Sequence, residues 1–167
     1  MHAAADLSYS EEAGLRKLSH KDIDAVFIRT QNLRWLLVDE VSMLPSGLLA
    51  DFEQKLRQAV RSSSIYAKRR CGVQRLFGGY NMLHFGDWWQ LPPIPDSAAL
   101  FRPPEPGLRQ GVKDVLNVFW SRGEDSLTHL WELTELKRCD DGWYNDFLYA
   151  ARAPVTYTCN EQGGGEF

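Results

Sequence analysis

The feature that most constrains the fold is a short apolar run that ends in two adjacent carboxylates. The segment RWLLVDEVSML, residues 34–44, places Asp39 and Glu40 directly after the apolar residues 35–38. A run of this length predicts a strand that is buried on both faces, as the strands of parallel sheets are. Ligands of such sheets bind outside the carboxyl ends of the strands. The segment therefore predicts an α/β fold and a candidate binding site at the two acids, although such a pair can also simply close a strand.

Helical and extended patterns alternate along the rest of the chain, which favours a parallel sheet with crossover helices. Ser19 and Asp22 have the spacing of a capping box and predict a helix with Ile23, Val26, Phe27 and Thr30 on one face. A second helix is predicted over 47–61, with Glu53 and Arg57 paired on its polar side. Further predicted elements are a strand over 80–85 that includes His84 as a satisfied core histidine, a helix around 112–119, a strand over 128–136, and a helix over 140–154 with Trp143, Phe147, Leu148 and Ala151 inward.

A second group of polar residues follows the strand predicted over 80–85, in the sequence GDWWQLPPI. Gly86 allows a tight exit from the strand, and Asp87 can anchor the loop. Gln90 carries an amide that both donates and accepts hydrogen bonds, which suits a group that senses a terminal phosphate. Because this loop also follows a strand, we expect it at the same edge of the sheet as the acid pair. The alternative is a proline-stiffened surface loop with Gln90 in solvent.

Three segments, in this order and spacing, resemble the Pif-type DNA helicases: LLVDEVSM, FGGYNMLHFGDWWQLPPI and ELTELKRCDDGWYNDFLYAAR. These helicases are superfamily 1 motors related to RecD and to the helicases of rolling-circle transposons. The resemblance runs from about residue 33 to 152. It implies an α/β, partial RecA-like P-loop NTPase domain over residues 1–152, with a Pro-rich insertion near 91–108. Residues 153–167 are expected to form a flexible tail.

The resemblance also implies a role for individual residues. Asp39 and Glu40 would be the Walker B pair, with Asp39 holding magnesium and Glu40 activating the attacking water. Gln90 would contact the γ-phosphate and couple hydrolysis to movement on DNA. Arg138 would also reach the phosphates, although Cys139 stands where the family usually has glutamine. The implied ligands are therefore ATP and Mg²⁺.

Candidate DNA contacts come from three places in the sequence. His2 resembles the remnant of a T-x-H motif near the DNA path of the family. Lys68, Arg69 and Arg70 belong to a basic run without acidic residues, which can grip phosphates or can simply be a solvated face. Trp88 can stack on bases, although at least one member of the adjacent Trp88–Trp89 pair is expected in the core.

The phosphate-binding loop of such motors is missing from this sequence. No Gly-Lys dipeptide occurs in the 167 residues, so the Walker A loop G-x-x-x-x-G-K-[ST] is absent. The family places that loop before the segment that resembles it here, and a second RecA-like domain after it. The resemblance thus implies a fragment of the first motor domain, with both missing parts expected in a full-length protein.

Composition limits the function further. A net charge of −3 argues against nucleic-acid binding by bulk charge alone. No apolar run is long enough to cross a bilayer, and three cysteines without zinc spacing indicate an intracellular protein. The resemblance implies the nucleus or the mitochondrion if the source is a eukaryote. The function that the resemblance implies is that of an ATP-dependent helicase fragment acting on single-stranded or forked DNA, with roles in repair, recombination, telomere or genome maintenance. The alternatives are a non-catalytic remnant that binds DNA or protein and, with less support, a metal-dependent nuclease.

Overall fold

A computed structural model describes residues 19–60, 64–94, 99–135, 137 and 139–152. The chain divides into two compact units, one ending at His129 and one beginning at Leu130. Within the described ranges, the first unit contains, in chain order, helix α1 (His20–Thr30), strand β1 (Trp35–Val38), a 3₁₀ turn (Val41–Met43), helix α2 (Ser46–Ala59), a turn at Leu76–Gly79, strand β2 (Asn81–His84) and helix α3 (Gln110–Trp120). The second unit contains helix α4 (Gly142–Arg152).

The two strands form a parallel pair, which confirms the predicted α/β class. Trp35 lies opposite Asn81, and Val38 lies opposite His84. Helix α2 lies in the connection between the strands. Because the strands run in the same direction, both carboxyl ends lie at one edge of the pair.

The prediction that β1 is buried on both faces is wrong. Val38 is 3% exposed, but Trp35 and Leu37 are 55% and 66% exposed. Successive side chains of a strand point to opposite faces, and the face with Leu36 and Val38 is the one that packs into the core. A short apolar run shows that a strand can be buried, but it does not show how many faces are covered.

The helices of the first unit form where their periodicity predicts. Ser19 caps α1 through a complete capping box with Asp22, with both backbone-to-side-chain bonds at 3.2 Å. Helix α2 packs against α1, α3 and the turn at Leu76–Gly79. Together with β1 they enclose a core whose buried apolar side chains include Val26, Val38, Leu49, Phe52, Leu56, Leu100, Val115 and Leu116.

The predicted pair of Glu53 and Arg57 forms, but not on a polar face. The Arg57 guanidinium lies 2.6 Å from the Glu53 carboxylate, and Glu53 is only 1% exposed. The other Glu53 oxygen accepts a hydrogen bond from the Phe77 backbone N–H at 3.2 Å. Phe77 has a φ of 51°, in the left-handed region that non-glycine residues rarely adopt. The buried carboxylate therefore holds the turn from which β2 starts.

Residues 128–135 do not form the predicted strand. The structure gives them no regular secondary structure, and Leu130, Trp131 and Leu133 are each at least 73% exposed. A strand needs a neighbour to accept and donate its backbone hydrogen bonds, and the described residues provide none for this segment.

Helix α4 forms as predicted, but its predicted inward face is wrong. The Asp141 carboxylate accepts hydrogen bonds from the backbone N–H groups of Trp143 and Tyr144, so Asp141 caps the helix. No residue of α4 is buried, and Trp143 stacks on Phe147 with their ring centroids 5.9 Å apart. The amphipathic pattern of α4 predicted a face that can be buried, but the second unit alone does not bury it. The tail predicted at 153–167 lies outside the described residues, and none of the helices in the described ranges is long and apolar enough to cross a membrane.

Candidate functional site

The carboxyl ends of β1 and β2 are joined by backbone hydrogen bonds beyond the strands themselves. The Phe85 N–H donates to the Val38 carbonyl at 2.8 Å, and the Val41 N–H donates to the Phe85 carbonyl at 2.9 Å. A Cβ atom at Gly86 would lie 2.9 Å from both the backbone nitrogen and the Cγ1 atom of Val41. The two predicted motif loops, 39–43 and 86–90, therefore leave the sheet side by side, and glycine is required for their close approach.

Asp39 and Glu40 are both exposed at this edge. One Asp39 carboxylate oxygen accepts a hydrogen bond from the Glu40 N–H at 2.9 Å. Glu40 has φ 50° and ψ 45°, a left-handed conformation that costs on the order of 1 kcal/mol or more in a non-glycine residue. Such strained residues concentrate at functional sites, where the surrounding structure holds them in place. Here the Val41–Phe85 bond and the 3₁₀ turn that follows supply that support.

Ser42 is a residue of this site that sequence reasoning missed. It is 1% exposed, and its hydroxyl has no hydrogen-bond partner among the residues that the structure describes. A buried hydroxyl is costly unless a water or ligand group bonds to it. The only signal in the sequence was its position two residues after Glu40.

The second loop is ordered by Asp87. The Asp87 carboxylate accepts a hydrogen bond from the Trp89 N–H, and its carbonyl accepts one from the Gln90 N–H, both at 3.0 Å. Gln90 is exposed and lies in the wall of a cavity of about 540 Å³, together with Met43, Trp89, Leu91 and Pro92. Because Met43 comes from the loop of the acid pair, this cavity spans both motif loops.

The two adjacent tryptophans have different environments. Trp88 packs edge-on against Phe101 and Phe119, with ring centroids 6.5 and 6.1 Å away. Trp89 is 74% exposed. Trp88 is itself 42% exposed, so the expectation that one of the two rings lies in the core is wrong. Stacking of Trp88 on DNA stays a prediction.

His84, at the end of β2, is half-buried and packs beside Phe119. Its ring lies 5.3 Å from that of Phe119, and neither ring nitrogen has a hydrogen-bond partner within the described part of the chain. Burial lowers the pKa of His84 to about 4, because desolvation disfavours the charged imidazolium. His84 is thus neutral near pH 7, and the prediction of a satisfied core histidine is wrong in its hydrogen bonding.

The basic run contains an ordered hairpin over residues 67–75. Lys68 and Gln74 form an antiparallel backbone β-bridge. Gly72, with a φ of 87°, lies in the turn between them. Arg69 forms ion pairs with Glu124 and Asp125, and its hydrogen bond to Asp125 raises its pKa further. Lys68 and Arg70 are exposed. Arg69 is therefore held by carboxylates, and DNA contacts by the three cations remain predictions.

The remaining predicted ligands are only partly placed. His2 and Arg138 lie outside the described residues. No group of three or more metal-binding side chains is found in the ranges that the structure describes. Mg²⁺, however, is usually held by one or two carboxylates plus substrate phosphates. The exposed pair of Asp39 and Glu40 fits an ion that arrives with a nucleotide.

Comparison with known proteins confirms the resemblance to Pif-type helicases. No protein-family model matches the chain. The chain is 27% identical over 130 residues to the ATP-dependent DNA helicase PIF1 of Saccharomyces cerevisiae, a match that covers 74% of this chain and 14% of that protein. The chain thus spans only a small part of the curated relative that it matches.

Solved structures of Pif1 from Bacteroides overlap the chain in part. The chain is 24% identical to the Pif1 in the complex with ADP-AlF3 and ssDNA. That match covers 55% of this chain and 19% of the Bacteroides chain, with a TM-score of 0.38. The chain is 20% identical to the Pif1 in the complex with ssDNA. That match covers 71% of this chain and 22% of the Bacteroides chain, with a TM-score of 0.37. At these TM-scores the likeness to the family is carried by the sequence comparison.

Proposed function

We propose that this chain is part of the first motor domain of a Pif-type ATP-dependent DNA helicase, which couples ATP hydrolysis to translocation and unwinding. The observation that carries the proposal is the meeting of two motif loops at one sheet edge. The hydrogen bond from Val41 to Phe85 and the close approach at Gly86 bring the acid pair and the Gln90 loop together. A motor of this kind needs metal-binding, water-activating and phosphate-sensing groups around one nucleotide.

The proposed chemistry divides among three residues. Asp39 would hold the magnesium ion of the nucleotide, which neutralises charge on the transferred phosphate. Glu40 orients the attacking water and accepts its proton as a general base. The Gln90 amide donates a hydrogen bond to the γ-phosphate and so distinguishes ATP from ADP. Arg138 adds positive charge to the same phosphates.

The Gln90 loop is also suited to transmit the state of the nucleotide. Its backbone is tied to Asp87, and it continues into Leu91, half-buried Pro92 and buried Pro93. Proline fixes φ, so this segment resists local adjustment. A shift at Gln90 is therefore passed on to the neighbouring surface. The proposed substrate of the motor is single-stranded or forked DNA, and the resemblance suggests a role in genome maintenance within the nucleus or mitochondrion of a eukaryote.

One alternative is a non-catalytic module that binds DNA or protein. The absence of a Gly-Lys dipeptide from the sequence favours it. An ATPase assay on the purified product of the longest reading frame that contains this chain distinguishes the two proposals. The helicase proposal predicts Mg²⁺-dependent ATPase activity that rises on addition of a single-stranded oligonucleotide, with blunt duplex of the same sequence as control. DNA binding without ATPase, from a product that contains a P-loop, would contradict it and favour the alternative.

A further inference from the structure

A pocket of about 310 Å³ lies at the opposite edge of the sheet from the acid pair. Arg34 lines it and directly precedes β1, while Tyr80 lines it and directly precedes β2. Both strands therefore start beside the pocket, whereas Asp39 and Gln90 follow the ends of the same strands. Its volume is at the lower end of the range for small-ligand sites. The other side chains and backbone groups that line it include Gln31, Leu33, Val60, Ser64, Ile65, Tyr66, Gly78 and Gly79.

The chemical centre of the pocket is a stacked pair of side chains. The Arg34 guanidinium carbon lies 3.2 Å from the centroid of the Tyr66 ring. A guanidinium stacked on an aromatic ring is a flat, cationic surface. A nucleobase is a planar group that extends such a stack, and its phosphates complement the positive charge.

The pocket is formed before any ligand arrives. A Cβ atom at Gly79 would lie 1.9 Å from the Tyr66 carbonyl oxygen, so the backbone of Tyr66 is pressed against the turn that starts β2. The Tyr80 hydroxyl donates to the Thr30 carbonyl at 3.0 Å, which fixes another wall to the end of α1. A preformed site avoids the free-energy cost of ordering its side chains on binding.

Two exposed cations follow Tyr66, a residue of the pocket lining, closely in the sequence. Tyr66 leads directly into the hairpin 67–75, on which Lys68 and Arg70 are exposed. The ion pairs of Arg69 with Glu124 and Asp125 tie this hairpin to the segment after α3. Arg69 is thereby a positioning residue, and Lys68 and Arg70 are the cations presented to solvent.

We propose that the Arg34–Tyr66 pocket and the adjacent hairpin cations bind single-stranded nucleic acid. One base enters the pocket and extends the stack, while flanking phosphates pair with Lys68 and Arg70. Aromatic and cationic groups in alternation are the features with which proteins hold single strands. This site lies at the opposite edge of the sheet from the proposed nucleotide site, so it does not rest on the proposed function.

Binding of a fluorescein-labelled oligothymidylate to the 167-residue chain, followed by anisotropy at low salt, tests the stack. Loss of one base stacked on Tyr66 is worth about 1–3 kcal/mol, so Tyr66→Leu is expected to weaken binding roughly 5- to 150-fold. Tyr66→Phe keeps the ring and is expected to retain near-normal affinity. Trp143→Ala removes a ring that is 74% exposed in the second unit and serves as the aromatic control. Urea unfolding of each variant verifies that it remains folded.

The salt dependence of the same titration tests the cations. Each phosphate neutralised on a single strand contributes about 0.7 to the slope of log affinity against log salt. The double variant Lys68→Gln with Arg70→Gln is therefore expected to lower that slope by about 1.4. Lys21→Gln with Lys113→Gln removes the same charge away from the pocket lining and should leave the slope unchanged.

Three results would overturn the proposal. The first is the absence of saturable binding by the unaltered chain. The second is equal affinity of the unaltered chain and a folded Tyr66→Leu variant. The third is a loss of binding in Trp89→Ala but not in Tyr66→Leu, because that result would place the bound oligonucleotide at the other edge of the sheet.

Discussion

Gly86 is the residue at which the two motif loops come closest. Its substitution by alanine adds a Cβ atom 2.9 Å from the backbone nitrogen of Val41, an atom that cannot move without disturbing β1. We expect Gly86→Ala to lower the free energy of unfolding of this chain by about 1–3 kcal/mol, measured by urea denaturation. Gly111→Ala is the matched control, because a Cβ atom there meets nothing within 4 Å and alanine favours helix α3 by up to about 1 kcal/mol. Equal destabilisation by both substitutions would contradict the assigned role of Gly86.

Substitution of Gln90 distinguishes the two interpretations of its loop, a phosphate sensor and a simple surface loop. If its amide bonds to the γ-phosphate mainly in the transition state, the bond is worth about 1.5–3 kcal/mol, or roughly ten- to a hundredfold in rate. In the longest reading-frame product, Gln90→Ala should therefore lower DNA-stimulated turnover and unwinding by this factor while changing nucleotide affinity less. ATPase assays with and without single-stranded DNA, beside a nucleotide titration, measure the two effects. Unchanged stimulated turnover would leave Gln90 without the proposed role.

At the scale of elements, Glu53 joins helix α2 to the turn that starts β2. Its carboxylate is buried, and it is bonded both to Arg57 and to the Phe77 N–H. Removal of the carboxylate leaves the Phe77 N–H without its acceptor, while the partly exposed Arg57 can be solvated, so Glu53→Ala should destabilise the chain by about 1–3 kcal/mol. Asp51→Ala, on the same helix, removes a half-exposed partner of Arg109 and should cost at most about 1 kcal/mol. Similar midpoints for the two variants in thermal or urea unfolding would show that Glu53 does not hold this turn.

The elements were largely predictable from the sequence, but their surroundings were not. The capping box at Ser19 and the apolar periodicity of α3 are local properties, so the sequence is sufficient to predict those helices. The number of covered faces of β1 and the direction of Glu53 depend on which residues pack against them, which periodicity does not encode. The same limit explains the strand wrongly predicted over 128–136 and the exposed face of α4.

The candidate site could likewise be predicted from the sequence only in part. That the acid pair and the Gln90 loop share one edge follows from the rule for parallel strands, and it could be predicted. No pattern in the sequence indicated the left-handed backbone of Glu40 or the buried Ser42 hydroxyl, which has no hydrogen-bond partner within the described ranges. Arg34 precedes helix α2 in the sequence and Tyr66 follows it, so their stacking could be found only from the structure.

For the whole molecule, the 167-residue sequence holds the residues of the proposed nucleotide site but contains no P-loop motif. In the proposed motor, Asp39, Glu40 and Gln90 would act on a bound nucleotide, whereas most of the phosphate affinity would come from the P-loop backbone and its lysine. We therefore expect no measurable ATP binding or hydrolysis by this polypeptide alone, as followed with a fluorescent ATP analogue and a phosphate-release assay. Magnesium-dependent hydrolysis by the pure chain that is lost in Glu40→Gln would refute this expectation.

The most direct test of the central claim is the turnover of Glu40→Gln in the longest reading-frame product. The substitution removes the proposed general base but keeps the shape of the side chain, and it leaves Asp39, the proposed magnesium ligand, in place. The account predicts that DNA-stimulated ATPase falls by about a hundredfold or more while nucleotide affinity is retained. Glu105→Gln, at an exposed carboxylate outside both motif loops, serves as the control and should leave both quantities unchanged. Near-normal turnover of the Glu40→Gln protein would contradict the assignment of this sheet edge as the site of ATP hydrolysis.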